Sequence, residues 1–202
     1  VRMEPEKHFR RTAPCAVAGH ARKSPVRATT PLRRRSPQAE TGGQAGLMAI
    51  TRRSTIRDVA AQVSQALTDA GITAVLTGGG AVSIYSANKY QSYDIDFVTA
   101  ASRRELAAIM SGLGFQRGSG RHFEHPATKL VVEFVAWPVT VGDEVVHKWS
   151  KIRTSAGTLQ VLTPTQCIKD RLAAFFHWRD SQSLEQALLV GQTVQRSRQP
   201  VQ

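Results

Sequence analysis

Hydrophobic positions along residues 54–193 switch between a helical and a strand-like period, and the switches mark out the elements. Ser54 or Thr55 supplies a helix cap and Asp58 sits in the first turn. Ile56, Val59, Ala60, Val63, Ala66 and Leu67 then recur at helical spacing until Gly71 stops the run. Ile72 to Thr77 is short, apolar and β-branched, the pattern of a buried strand. Gly78-Gly79-Gly80 reads as a turn, Ala81 to Ala87 as a short helix, and Asn88 to Ser92 as a polar loop before a strand over Tyr93–Thr99. Ser102 with Glu105 makes a capping box for a helix whose apolar residues Leu106, Ile109, Met110 and Leu113 run to Gly114.

Glycines 118 and 120 suggest a hairpin over Phe115–Glu124, and Leu130–Ala136 reads as a strong strand. Glu144–Val146 and Thr158–Leu162 are weaker strand candidates. Thr163-Pro164-Thr165-Gln166 combines a Thr cap, Pro at the first helical position and Gln three residues after the cap. Ile168, Leu172, Phe175 and Phe176 form the apolar stripe of that helix, and a last helix runs from about Ser181 to Thr193. This order predicts an α/β (α+β) chain: a small mixed sheet with flanking helices over 48–162, then a helical section over 163–202. No internal repeat is visible.

Charge changes the picture at one end. Of the formal net charge of +12, residues 1–47 carry +7, so the remainder of the chain is only mildly basic. Those residues are rich in Arg, Pro, Ser, Ala and Gly without apolar periodicity, and they are expected to be a disordered basic tail. Three readings of the tail stay open: a start-site artefact ahead of Leu47-Met48-Ala49, a nonspecific nucleic-acid-binding tail, or a targeting segment. No apolar run approaches the ~18 residues of a membrane span. Cys15 and Cys167 make neither a disulfide framework nor a zinc set. A soluble, cytoplasmic protein is the expectation.

The chemistry concentrates after the glycines. In Ser92-Tyr93-Asp94-Ile95-Asp96-Phe97, strand alternation puts Asp94 and Asp96 on one face and Tyr93, Ile95 and Phe97 on the other. Like charges on one face repel, and a divalent cation is the usual remedy. Glu133, the lone acid in the apolar run Leu130–Val135, is the candidate third carboxylate; alternatively it pairs with an Arg at a sheet edge. His122 and His125 flank Glu124, but a hairpin would turn them to opposite sides and no zinc spacing follows. His177-Trp178 reads as packing at a helix end. The glycines complete neither a dinucleotide fingerprint nor a P-loop.

These residues resemble the nucleotidyltransferase superfamily of the DNA-polymerase-β-like fold. Its hallmark is a Gly-Gly or Gly-Ser turn, a short helix, an Asp-x-Asp or Asp-x-Glu strand, and a later acidic residue. Gly78, Gly79 and Gly80 match the turn, Asp94 and Asp96 the pair, and Glu133 the third position by context. Thr77–Val82 with Ser92-x-Asp94-x-Asp96 further resembles the bacterial abortive-infection and toxin–antitoxin branch. There Ile168-Lys169-Asp170-Arg171-Leu172 and Trp178-Arg179-Asp180 could match a basic and an Arg-Asp element.

The resemblance implies an enzyme that uses Mg²⁺ to move an NMP from an NTP to an acceptor hydroxyl. It implies Asp94, Asp96 and Glu133 as metal ligands and catalytic carboxylates, with Glu133 alternatively the general base. Gly79 and its neighbours, Ser83, Lys169 and Asp180 would handle the triphosphate or the acceptor. The implied partners are a nucleoside triphosphate such as ATP, an RNA or tRNA end or a protein side chain as acceptor, and an antitoxin protein; no membrane is implied. A non-catalytic nucleotide- or partner-binding domain of the same fold is the alternative.

Overall fold

The structure is a computed structural model that describes residues 49–118 and 120–198. The expected tail, residues 1–47, lies outside the described residues.

Helix α1 (Ile56–Asp69) starts where expected, because Thr55 and Asp58 close a reciprocal capping box. Strand β1 (Ala74–Thr77) follows Gly71, whose φ of +74° provides the left-handed exit from the helix. The three glycines are not a free turn. They form the first turn of α2 (Gly78–Tyr85), so the helix begins three residues earlier than its apolar pattern suggests.

Strand β2 (Asp94–Thr99) leads to α3 (Arg103–Gly112), capped by Ser102 and Glu105. The hairpin β3 (Gln116–Arg117) and β4 (His122–Glu124) precedes β5 (Val131–Ala136). A small two-stranded ribbon, β6 (Thr140–Val141) and β7 (Glu144–Val145), stands apart from the main sheet. Strands β8 (Ser150–Thr154) and β9 (Gly157–Val161) complete the sheet, followed by α4 (Pro164–Trp178) and α5 (Ser181–Arg198).

The main sheet has seven strands in the order β3-β4-β5-β2-β1-β9-β8. Strand β2 is its hinge of direction, antiparallel to β1 and parallel to β5. Short β6 and edge strand β8 escaped sequence reading; β8 is Ser-Lys-Ile-Arg-Thr, a polar edge with a single apolar residue. Helix α1 lies over β9 and is tied to it by polar bonds: Thr158 N–H donates to Gln65 Oε1 at 2.8 Å and Gln160 N–H to Ser64 Oγ at 3.0 Å. Phe97 stacks on Phe134 with centroids 6.1 Å apart, and Phe123 meets Phe134 edge-on at 5.6 Å. This aromatic layer occupies the face of β2 and β5 opposite the carboxylates.

One expected stripe fails in part. Cys167 is the fully buried residue of α4 and Ile168, Leu172 and Phe175 are part-buried, but Phe176 is 70% exposed; the packing expected of His177-Trp178 is absent too, since both are exposed.

Candidate active site

Strand pairing assembles the site as a row across the sheet. Thr77 on β1 is the register partner of Asp96 on β2, Asp96 of Glu133 on β5, and Glu133 of His122 on β4. Directly paired residues project to the same face, so four strands deliver Thr77, Asp96, Glu133 and His122 side by side. Asp94 lies two residues back on that face and is exposed, while Asp96 is half-buried.

The glycines close one wall of this row. A Cβ on Gly78 would stand 2.9 Å from Asp96 Oδ2, and Gly78 has a φ of +60°. A Cβ on Gly79 would come within 3.1 Å of Ser92 Oγ, and one on Gly80 within 3.0 Å of Leu76 Cδ1. Glycine therefore lets the first turn of α2 approach the Asp96 carboxylate in a backbone conformation other residues resist. The first N–H groups of that helix lack intrahelical partners, and Thr77 places no side chain on them.

The Asp96 carboxylate accepts no hydrogen bond among the described residues, although Thr77 Oγ1 donates to the Asp96 backbone carbonyl at 3.4 Å. Its carboxyl is pushed up to about 6, first by burial, then by the negative charges of Glu133 and Asp94. The Arg171 guanidinium on α4 pulls the other way, with Asp170 opposing it. Arg171 is held by Asp170, whose Oδ2 accepts from Nε at 3.0 Å and from Nη2 at 2.6 Å, and it reaches Gln186 Oε1 at 3.4 Å.

Glu133 is turned towards basic partners. Its Oε2 lies 3.1 Å from His122 Nε2 and its Oε1 3.5 Å from Arg121 Nε. The expected alternative of an Arg partner is thus realised, but from the β3–β4 hairpin onto an inner strand rather than at a sheet edge. Among the described residues, no three His, Cys, Asp or Glu side chains close around one metal position. The donor set still has the right chemistry for a hard cation, since Asp94, Asp96 and Glu133 offer only carboxylate oxygens and their mutual repulsion raises Asp96. Both Glu133 oxygens instead face basic partners, Oε1 towards Arg121 and Oε2 towards His122.

The remaining candidates are placed elsewhere. Ser83 is buried; its hydroxyl donates to the Gly79 carbonyl at 3.2 Å and accepts from Ser92 N–H at 2.9 Å, clamping α2 to the loop ahead of β2. Lys169 points outward to Glu144 at 3.1 Å. Asp180 caps α5: it accepts from Ser183 Oγ at 2.6 Å and Gln182 N–H at 3.1 Å, and the Ser183 bond leads in lowering its pKa.

Arg171, rather than the expected Lys169, is the basic residue of α4 whose charge acts on Asp96. Helical spacing carried the signal: Arg171 follows buried Cys167 by four residues and shares its face, whereas Lys169 follows by two. Arg121 and His122 gave no such signal, because hairpin register alone brings them to Glu133. His122 and His125 do diverge, for His125 turns to Phe115 at 5.1 Å between ring centroids.

No protein-family profile and no curated protein sequence matches the chain. Among solved structures, the chain is similar to an antigenic nucleotidyltransferase-like protein from Paracoccidioides brasiliensis. The TM-score is 0.50 at 12% identity, over 69% of this chain and 77% of that one. It is also similar to the antibiotic-resistance factor ANT(2″)-Ia in solution (TM-score 0.45, 15% identity, 69% of this chain and 83% of that one). ANT(2″)-Ia in complex with adenylyl-2″-tobramycin gives a TM-score of 0.40 at 14% identity, over 70% of this chain and 98% of that one. The likeness to the Paracoccidioides brasiliensis protein bears on the fold alone, a mixed α/β architecture, and leaves the reaction to be argued from the site.

Proposed function

We propose that the chain is a metal-dependent nucleotidyltransferase that moves an NMP from an NTP to an acceptor hydroxyl. One observation carries the proposal: the Asp96 carboxylate lies against Gly78 in the first turn of α2, with Asp94 and Glu133 on the same face. That geometry sets anionic metal ligands beside backbone N–H groups free to take phosphate oxygens.

Asp94, Asp96 and Glu133 would hold Mg²⁺, which when bound supplies charge neutralisation for the triphosphate and acidity to the acceptor hydroxyl. The N–H groups of Gly79 and Gly80 would receive phosphate oxygens, and the glycine surface leaves them room. Arg171, anchored by Asp170, would add a fixed cation on the α4 side. Alternatively Glu133, held by His122 and Arg121, would take the acceptor proton instead of completing the metal set. In this scheme Ser83 and Asp180 hold the scaffold, and Lys169 belongs to the surface.

For the acceptor we propose a nucleic-acid end, such as that of a tRNA, with a protein side chain as the other candidate. A toxin role with an antitoxin partner rests on the motif resemblance. Purified chain, each labelled NTP, Mg²⁺ and total RNA or lysate should give transferred label, which Asp94→Ala plus Asp96→Ala abolishes. Unchanged transfer by the double variant would sink the enzyme reading. The ion pair that occupies Glu133 favours one second reading, a nucleotide-binding domain without catalysis. Saturable NTP binding with no transfer to any acceptor would select it.

A further inference from the structure

A concavity lies at the far end of β2 and β5 from Asp94. It encloses about 500 Å³ between Thr99–Ala101 after β2, the first turn of α3, the β3–β4 hairpin and Val135–Trp137. Its walls divide into two chemistries. Phe123, Phe134 and Trp137 give flat apolar surface, and Trp137 is 40% exposed. Arg103, Arg117 and Arg121 enter from α3, β3 and the hairpin turn, and among the described residues no acidic one lines the cleft.

Among the described residues, Arg121 meets Glu133 at 3.5 Å, whereas Arg103 and Arg117 enter no ion pair. Guanidinium groups clasp phosphate in a planar fork and stack on flat rings. Three of them beside an apolar wall offer positive charge to a dianion. The N-terminus of α3 is already capped by Ser102 and Glu105, so the arginines must supply the recognition.

We propose that this cleft binds a small ligand made of one flat aromatic ring system and one phosphate. The ring lies against Phe123 and Trp137, and the phosphate sits among Arg103, Arg117 and Arg121. A cleft of this volume suits a ligand of that size.

Arg121 makes the cleft more than a pocket. Arg121 is among the residues that line the cleft, and its Nε lies 3.5 Å from Glu133 Oε1. A phosphate in the cleft competes for Arg121 and releases one Glu133 oxygen beside Asp96. Occupancy thereby favours the closed carboxylate set; this consequence rests on the transferase reading, and the binding does not.

The test titrates the full chain in EDTA with 2-naphthyl phosphate, followed by ¹H–¹⁵N NMR. Inorganic phosphate and 2-naphthol serve as half-ligands. Expected are saturable shifts at Ala100–Arg103, Arg117, Arg121–Phe123 and the Trp137 indole N–H, with movement of the Arg121 Nε–H signal. Each half-ligand should bind at least tenfold more weakly. Arg103→Ala plus Arg117→Ala, at two exposed positions, should weaken binding at least tenfold while leaving the melting temperature unchanged.

Absence of saturable shifts at the cleft would overturn the proposal, as would undiminished affinity in the double variant. Shifts centred on Gly78–Gly80 and Asp96 would overturn it too, by placing the ligand in the candidate active site. A fixed Arg121 Nε–H signal at saturation would overturn the coupling to Glu133. Cleft binding by a chain that transfers no label from any NTP would leave the cleft standing and sink the transferase reading.

Discussion

Replacing Asp96 by Asn tests whether the carboxylate row is a charge held against its own preference. Asp96 is half-buried, its carboxylate accepts no hydrogen bond among the described residues, and it faces Glu133 and Asp94. Its pKa rises from 3.8 to about 6 in the folded chain. A raised carboxyl binds its proton more tightly when folded, so it costs nothing below the unfolded value and its full penalty above the folded one. A shift of this size corresponds to about 3 kcal/mol of destabilisation at neutral pH.

Asn keeps the shape and removes the charge, and its own unpartnered amide gives back about 1 kcal/mol. In EDTA at pH 7.5, Asp96→Asn should therefore be more stable than wild type by about 2 kcal/mol. For a chain of this size that raises Tm by about 4–8 °C. The gain should shrink as pH falls through 6, vanish at about pH 4.5 and reverse below it, where only the cost of the Asn amide of about 1 kcal/mol remains. Urea unfolding at several pH values measures it directly. Added Mg²⁺ should stabilise wild type according to ligand linkage and leave Asp96→Asn little changed. A variant less stable than wild type at pH 7.5, or a difference independent of pH, would refute the charge argument.

Gly78→Ala should cost about 1–3 kcal/mol in denaturant unfolding, because a Cβ at a φ of +60° would press on Asp96 Oδ2 at 2.9 Å. Label transfer should fall with it, and a wild-type-like Gly78→Ala would show that the close approach is not needed. Lys169→Ala removes an exposed pair with Glu144 and should change stability by under about 1 kcal/mol, with transfer unchanged. Arg171→Ala leaves the part-buried Asp170 without its guanidinium and should cost about 1–3 kcal/mol. It should also move the Asp96 titration upward by NMR, since Arg171 is the positive charge acting on it. Gly157→Ala places a methyl 2.7 Å from Gln65 Cβ at a φ of +136°; it should lower Tm by loosening α1 from β9.

Local chemistry wrote most of the elements into the chain. Three capping boxes, at Thr55–Asp58, Ser102–Glu105 and Thr163–Gln166, start their helices at the expected residues, because a cap is satisfied within four residues and needs no tertiary partner. Alternation likewise set Asp94 and Asp96 on one face, since a strand allows no other arrangement. Contacts between distant segments were another matter. The row Thr77–Asp96–Glu133–His122 depends on register between four strands, and no local pattern encodes register across a hairpin or a crossover. The partners of Glu133, the inward choice of Arg171 over Lys169, and the glycines' place inside α2 were decided by packing. So the sequence determined which residues could do chemistry, through short-range caps and periodicity. Only the tertiary structure decided which of them meet, because that depends on pairing and burial over separations the local pattern does not span.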